Sequence, residues 1–578
     1  MKHSTPVTGS RKERTREFFR GQSVLLLGVT GTVGQVVLER LLRCAPPRRL
    51  YLLTRSTPKA SSTQRIIDLL QQPLFAALHK GLRDEEGEAH SDDSTASDDD
   101  GGGDGGGCRS PQSSTQSDEE LLLNGFGIHV IEGDLRKEYL GLSERDHETL
   151  KANVTVVVNC AASINFEDPF PQLFDQNVVG ALRVMQLAMS CEGVRSSGCF
   201  VHVSTAYANS NRSGVIEEKL YESDIDHEHT FSELGRTTGE EHERLAEQLR
   251  VRYGHPNHYT FTKCLAEHLI DSRHGDMPTL IVRPSIIGST YKTPFQGWTY
   301  APQGFGTLVA VGAFGGSLRL PSDGMAIGDV IPSDYVASAI IKGAVAMAGR
   351  VGHLEVMHVA SSHTNPITWN ELARHAVKAI TQQNSQNRIP KKYMIGPRLV
   401  VKWCASSKRY AVLHAMNDAA VVVGHSVAAR LSGVLPSQGR QLSKLFKFLG
   451  RRQNVLKLLH PFICNQWTFK TDKMSQLARG DDEPDFPLDV ENIDWEPWCK
   501  DYLEGLCRYS LIPTLERITA RDEELPQSKQ PLKPSTFDTM SPSRMSIAST
   551  CTGSPSSNRT RRRLAVKTNQ RRDRGVDG

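Results

Sequence analysis

The chain has 578 residues, a hydrophobic fraction of 38% and a formal net charge of +4. That length exceeds a single compact core and predicts two or more folded units plus tails. The small net charge makes no case for a nucleic-acid or strongly acidic partner. Residues 1–22 are polar and no uninterrupted apolar run reaches about 18 residues, so neither a signal peptide nor a membrane-spanning helix is expected. The 11 cysteines contain no Cys-x-x-Cys pair. They read as free thiols of a reducing, intracellular and non-secreted setting.

Residues 1–16 are expected to be disordered. The run "SVLLLG" is then a strand ending in glycine, and "VGQVVLERLLR" has helical periodicity. Between them lies Gly28-Val29-Thr30-Gly31-Thr32-Val33-Gly34. Glycines between a strand and a helix permit a tight turn and let backbone amides approach a pyrophosphate at the positive end of the helix. A dinucleotide site is therefore expected here. "RLYLLTR" is a second strand and "RIIDLLQQPLFAALHKG" a second helix. Residues 83–117 hold "SDDSTASDDDGGGDGGG", with Ala96 its only apolar residue. This stretch cannot bury enough apolar surface to order and reads as a disordered acidic insertion in a surface loop.

Beyond it, "GIHVIEGDL" is a third strand and "VTVVVNCAA" a fourth; "NVVGALRVMQLAMS" is a helix and "CFVHVSTAY" a fifth strand. Strands that are apolar throughout have both faces covered, which predicts a parallel sheet with helices on each side. The expected fold is thus a Rossmann-type, doubly wound α/β domain over residues 17–395. Residues 396–513 turn mainly helical and read as a smaller C-terminal domain. Its segment "YAVLHAMNDAAVVVGHSVAARLSGVL" is broken by His414, Asn417, Asp418, His425 and Arg430. It is read as a helix of the fold or one lying on a membrane surface. Residues 514–578 are rich in Ser, Thr and Pro, end in a basic stretch and are expected to be a disordered tail.

Tyr259 is the only one of 13 tyrosines followed by lysine at the fourth position. Tyr259 and Lys263 share a helix face at that spacing. A neighbouring ammonium and a positive nicotinamide would stabilise the phenolate and lower its pKa, so that the tyrosine can hand a proton to a carbonyl oxygen. Ser204 or Thr205, at the end of the fifth strand, would hold the same oxygen. Adjacent strand residues point to opposite sides, so only one of the two can face it. Arg55 ends the second strand with no carboxylate beside it in sequence, which favours a 2′-phosphate and hence NADPH. Asp134 ends the third strand, where a carboxylate can accept the adenine amino group. His358, His363, the His-Glu-His at 227–229 and the cysteines show no metal-ligand spacing, so no metal is expected.

The stretches "GVTGTVG", "YLLTR", "EGDL", "NCAASINFEDP", "FVHVSTAYAN", "YTFTKCLAEHLI" and "IVRPSII" together resemble the extended short-chain dehydrogenase/reductases. "TPFQGW", "DVIPSDYVASAII", "TNPITWNEL" and "FPLDVENIDWEPWCKDYLEGLCRY" narrow the resemblance to the fatty acyl-CoA reductases, or male-sterility family. The resemblance implies reduction of a long-chain or very-long-chain acyl-CoA to a primary alcohol through an aldehyde, with two NADPH consumed and CoA released. It maps Tyr259 as proton donor, Lys263 as its tuner and Thr205 or Ser204 as oxyanion partner. Pro284 and Ser285 fall near the nicotinamide. Gly28, Thr30, Gly31, Thr32, Val33, Gly34, Arg55, Asp134, Leu135 and Ala161, with Lys263, complete the implied NADPH site. The glycine-rich stretch "TPFQGWTYAPQGFGTLVAVGAFGGSLRL" reads either as acyl-chain channel or as an ordinary packed subdomain.

The acidic insertion departs from the family pattern. The C-terminal region also lacks the strongly hydrophobic stretch of membrane-anchored relatives. The expectation is a soluble enzyme or one peripheral to an endomembrane such as the endoplasmic reticulum or peroxisome. Three alternatives remain: a reductase of acyl-CoA or acyl-carrier-protein thioesters that stops at the aldehyde, a catalytically inactive NADP-binding partner, and a sugar-nucleotide epimerase or dehydratase on the same fold.

Overall fold

The structure is a computed structural model that describes residues 14–79, 123–223, 225–313, 316–386, 399–479, 483–513 and 516. The acidic insertion, most of the basic tail and the expected domain boundary at 395 lie outside the described residues. Seven strands form one sheet: β1 (Ser23–Leu27), β2 (Arg49–Thr54), β3 (Ile128–Glu132), β4 (Val156–Asn159), β5 (Cys199–Val203), β6 (Thr279–Pro284) and β7 (Leu354–Val359). Their order is β7-β6-β5-β4-β1-β2-β3, and every adjacent pair is parallel. This is the doubly wound parallel sheet expected from the uninterrupted apolar strands.

The helices used below are α1 (Thr32–Cys44), α2 (Ser62–Leu70), α3 (Gly180–Ser190), α4 (His227–Arg236), α5 (His258–Arg273), α6 (Ser333–Met347), α7 (Ser407–Val434), α8 (Pro436–Cys464) and α9 (Trp495–Gly505). Every residue of β1 is buried, and its side chains alternate between two cores. Val24 and Leu26 join Val36 and Leu38 of α1 and Tyr335 and Ile340 of α6. Leu25 and Leu27 join Met185 of α3 and Leu265 and Leu269 of α5. An apolar residue at every position is what a strand needs when helices cover both faces. The chain runs β1 to β3 in one direction and then returns to place β4 on the other side of β1. That reversal opens a crevice at the C-terminal strand ends, the usual ligand position in such sheets.

Two local expectations are corrected. The second helix is not continuous: α2 stops at Leu70 and Pro73 opens a separate turn over Pro73–Phe75. Proline biases the residue before it away from helix, and in a helix interior it removes a hydrogen bond and crowds the preceding turn, which favours a break here. At the N-terminus, a helix over Arg14–Arg20 begins inside the stretch expected to be disordered. Thr15 donates to the Glu483 carboxylate through its amide (3.1 Å) and its hydroxyl (2.6 Å), which anchors that helix.

The C-terminal segment packs back onto the sheet domain. Trp498 of α9 is buried, and its indole N–H donates to the Ser289 carbonyl at 3.2 Å. A Cβ at Gly288 would sit 2.3 Å from the Trp498 ring, so glycine is what lets α9 approach. The long pair α7 and α8 differs in character. Val412, Met416, Val422, Val423 and Val427, all on α7, are exposed. No described helix is long and apolar enough to cross a membrane.

Candidate active site

The turn after β1 is shaped by two glycines in different ways. Gly28 has φ +80°, and a Cβ there would lie 2.6 Å from the Ala161 amide nitrogen. At Gly34 a Cβ would come within 2.2 Å of the Gly28 carbonyl oxygen. Both positions therefore require glycine for the turn and the helix to close. Gly31 is exposed and caps α1 without any side-chain hydrogen bond, so the first amides of α1 have no side-chain partner there. The buried Thr32 hydroxyl also has no partner. Uncapped amides, an unpartnered hydroxyl and the positive end of a 13-residue helix fit an anionic pyrophosphate. Thr30 and Val33 flank this cradle, both partly exposed.

The ends of β2 and β3 lie side by side. Arg55 is half exposed and its guanidinium is 4.0 Å from the Asp134 carboxylate. Arg55 has no carboxylate beside it in sequence but gains one in space, because parallel pairing of β2 and β3 supplies it from 79 positions along the chain. Arg136, which sequence reading missed, donates to Asp134 at 2.7 Å. These hydrogen bonds, outweighing partial burial, hold the Asp134 carboxyl down at about 2. Leu135 is engaged through its carbonyl, which accepts from Arg183 at 2.9 Å. The Ala161 amide donates to the Asn159 side chain at 3.1 Å, fixing the segment beneath Gly28.

The Asn257 side chain accepts from the Thr260 amide at 2.9 Å and so starts α5, which carries Tyr259 and Lys263 one turn apart. Lys263 is buried, and its ammonium donates to the Val203 carbonyl at 2.8 Å. Burial lowers its pKa to about 8, against the opposing pull of Glu267. Tyr259 is pushed up to about 12 by burial, with a hydrogen bond to Thr205 working in the other direction. The protein alone therefore keeps this phenol protonated; the lowering expected from the ammonium together with a positive nicotinamide concerns the cofactor-loaded site. The ammonium is directed at Val203, and burial decides the outcome.

Thr205 and Ser204 separate as strand alternation requires. Thr205 lines a cavity with Tyr259, and its hydroxyl also accepts from the Tyr207 amide at 3.3 Å. Ser204 is held by its amide, which donates to the Val282 carbonyl at 2.7 Å; its buried hydroxyl has no partner and it does not line the cavity. Ser285 lines the same cavity, whereas Pro284 stands behind it with its carbonyl 3.5 Å from the Thr205 hydroxyl.

The cavity measures about 380 Å³. Tyr259, Thr205 and Ser285 line it, and its wall is mainly apolar. Of the glycine-rich stretch after β6, Pro302, Gln303, Gly304 and Thr307 reach it. Trp298, Phe305, Leu308 and Val309 are instead core residues. Much of the apolar wall comes from Val455, Leu458, Leu459 and Phe462 of α8, which sequence reading missed. Their spacing in "VLKLLHPF" is an amphipathic helical stripe, a signal that marks a buried face without saying what it buries against. Phe166 stacks on Phe462 with centroids 5.8 Å apart and approaches Tyr259 at 5.2 Å, joining the wall to the phenol.

A family profile described as male sterility protein matches residues 26–97 and 112–340, and a second of the same description matches residues 426–512. Fatty acyl-CoA reductase 1 of Xenopus laevis is 26% identical over 519 residues, covering 88% of each chain. A putative fatty acyl-CoA reductase of Drosophila melanogaster is 28% identical over 542 residues, covering 90% of this chain and 91% of its own. Among solved structures, the terminal R domain from the myxalamid PKS-NRPS pathway aligns with a TM-score of 0.49 at 18% identity, covering 87% of this chain and 93% of its own. The profile over residues 26–97 and 112–340 takes in the glycine turn, Thr205, Tyr259 and Lys263. The chain belongs to the male sterility protein family, the fatty acyl-CoA reductases among the NAD(P)-binding, Rossmann-type oxidoreductases.

Proposed function

We propose that this protein reduces long-chain or very-long-chain fatty acyl-CoA to the primary alcohol, through an aldehyde and with release of CoA, using NADPH. The observation that carries this reading is the pairing of Tyr259 and Thr205 in the wall of a mainly apolar cavity. An apolar wall suits an acyl chain, each buried methylene contributing about 0.8 kcal/mol. NADPH, when bound, supplies hydride to the carbonyl carbon. Tyr259 holds its proton at neutral pH and gives it to the carbonyl oxygen as negative charge develops there. Thr205 stabilises that oxygen by hydrogen bonding. Lys263 carries the positive charge that offsets the phenolate left behind. After the first reduction the hemithioacetal collapses: the Tyr259 phenolate takes back the hydroxyl proton as the C–S bond breaks, which gives aldehyde and CoA thiolate. This restores the phenol for the second, also NADPH-dependent, reduction. The same residues act again on the aldehyde.

The choice of NADPH is supported by Arg55 and Arg136, which flank Asp134 and bring two guanidinium groups to the crevice edge. Gly28, Thr30, Gly31, Thr32, Val33 and Gly34 would hold the pyrophosphate. Asp134, Leu135 and Ala161 would border the adenosine half, and Pro284, Ser285 and Lys263 the nicotinamide end. The exposed apolar side chains of α7 support peripheral contact with a lipid surface, from which acyl-CoA would be collected.

The deciding experiment is an NADPH oxidation assay of the purified full chain with saturated acyl-CoAs from medium to very long length, with products quantified. Two NADPH consumed per alcohol formed is the expected result. Aldehyde accumulating without alcohol would refute the four-electron reading, and no oxidation with any thioester would refute the reductase.

A further inference from the structure

The catalytic helix α5 turns another face away from the cavity, toward α4. Cys264 and His268 lie four positions apart on that face, and His227 opens α4 opposite them. The Cys264 Sγ and one ring nitrogen from each histidine all fall within 4.8 Å of one another. Cys264 is a buried free thiol. The His227 Nε2 is buried and has no hydrogen-bond partner. Nearby His255 is 2% exposed, has no partner on either ring nitrogen, and interacts electrostatically with His227 and His268. Buried polar atoms without partners are costly and call for a physical explanation.

We propose that His227, Cys264 and His268 form a binding site for a borderline-soft divalent cation, Zn²⁺ being the best match. Imidazole nitrogen and thiolate sulfur are the donors such an ion prefers, and three protein ligands leave one tetrahedral position for water or His255. The two sides of the site are already held in register. Glu228, next to His227, accepts from Ser272 at 2.8 Å and from the Arg273 Nε at 2.9 Å, both on α5. Glu267, beside His268, does not compete as a ligand, because its carboxylate is buried against Arg283 at 2.6 Å.

Binding requires two local adjustments. The His227 and His268 rings stack with centroids 3.8 Å apart and planes 11° apart. One ion cannot lie in the plane of two parallel rings, so one imidazole turns about its Cβ–Cγ bond, a soft torsion. Metal–ligand bonds of about 2.0–2.3 Å also draw the three donors closer by up to about 1 Å. The Cys264 thiol gives its proton to water as the sulfur–metal bond forms. The ion would then pin α5 to α4 on the side opposite Tyr259. This assignment is independent of the reductase reading.

The test uses full-length protein with no histidine tag, stripped with chelator and titrated first with Zn²⁺ and then separately with Co²⁺. About one ion per chain is expected, together with a thiolate-to-cobalt charge-transfer band in the near ultraviolet. The band should vanish in Cys264→Ser and the ion in His268→Ala, while Cys404→Ser keeps both. Wild-type protein that binds far less than one ion, or shows no charge-transfer band, overturns the site whatever the variants do. A band that survives in folded Cys264→Ser overturns the ligand assignment.

Discussion

The sheet domain and the α7–α8 pair use apolar residues in opposite ways. All five residues of β1 and all six of β6 are buried between helices. On α7, five large apolar side chains face outward, while α8 turns Val455, Leu458, Leu459 and Phe462 to the cavity wall. The sheet consumes its apolar surface within the fold. The helical pair divides its own between the cavity wall and the outside. The lesson is that apolar content reports how much surface must be covered, but not what covers it.

The sharpest way to break this contrast is to attack the sheet domain from inside. Arg283 of β6 and Glu267 of α5 form a fully buried ion pair at 2.6 Å. Glu267→Gln leaves the guanidinium uncompensated and should cost about 3–5 kcal/mol, read as a fall in Tm and in denaturant midpoint. A loss below about 1 kcal/mol would show that the pair is dispensable there.

Next in size is the chemistry at the cavity. Tyr259→Phe should lower turnover about a hundredfold or more, the scale of a lost general acid, while leaving Tm unchanged. Retention of most activity would remove Tyr259 from the mechanism. A smaller effect tests Lys263 through pH. Its folded pKa, about 8, lies below its ordinary 10.5, so it loses its charge as pH rises through about 8. A pH profile of kcat/KM, which reports the free enzyme, should fall across that range and lose this step in Lys263→Met. The same shift makes stability rise between about pH 8 and 10.5, because the unfolded chain then binds the additional proton.

Arg55→Ala should weaken NADPH by about tenfold, the worth of one charge-assisted contact, and NADH hardly at all. Equal losses for the two cofactors would refute the 2′-phosphate role. The smallest energetic effect belongs to the outward face of α7. Val422→Asp with Val423→Asp should alter stability by only about 0.5 kcal/mol, because both side chains are already exposed. The same change should abolish co-sedimentation with anionic lipid vesicles. Undiminished vesicle binding would show that α7 faces water for another reason.

Much was legible because it is local. Continuous apolar strands, a glycine turn between strand and helix, and Tyr259 four residues before Lys263 are properties of neighbouring positions. Periodicity and backbone sterics fix their meaning before any distant contact forms. What required the tertiary structure was juxtaposition across the chain. Parallel pairing of β2 with β3 brought Asp134 and Arg136 to Arg55, and strand alternation turned Thr205 rather than Ser204 to the cavity. The return of the C-terminal segment gave the cavity its α8 wall and anchored the N-terminal helix through Glu483. The packing of α4 on α5 gathered His227, Cys264 and His268, whose spacing in sequence carried no metal signal. The sequence by itself determined the parallel sheet, the glycine turn and the tyrosine–lysine pair. Packing decided which side chains share a site, since that depends on which distant surfaces must cover one another to leave water.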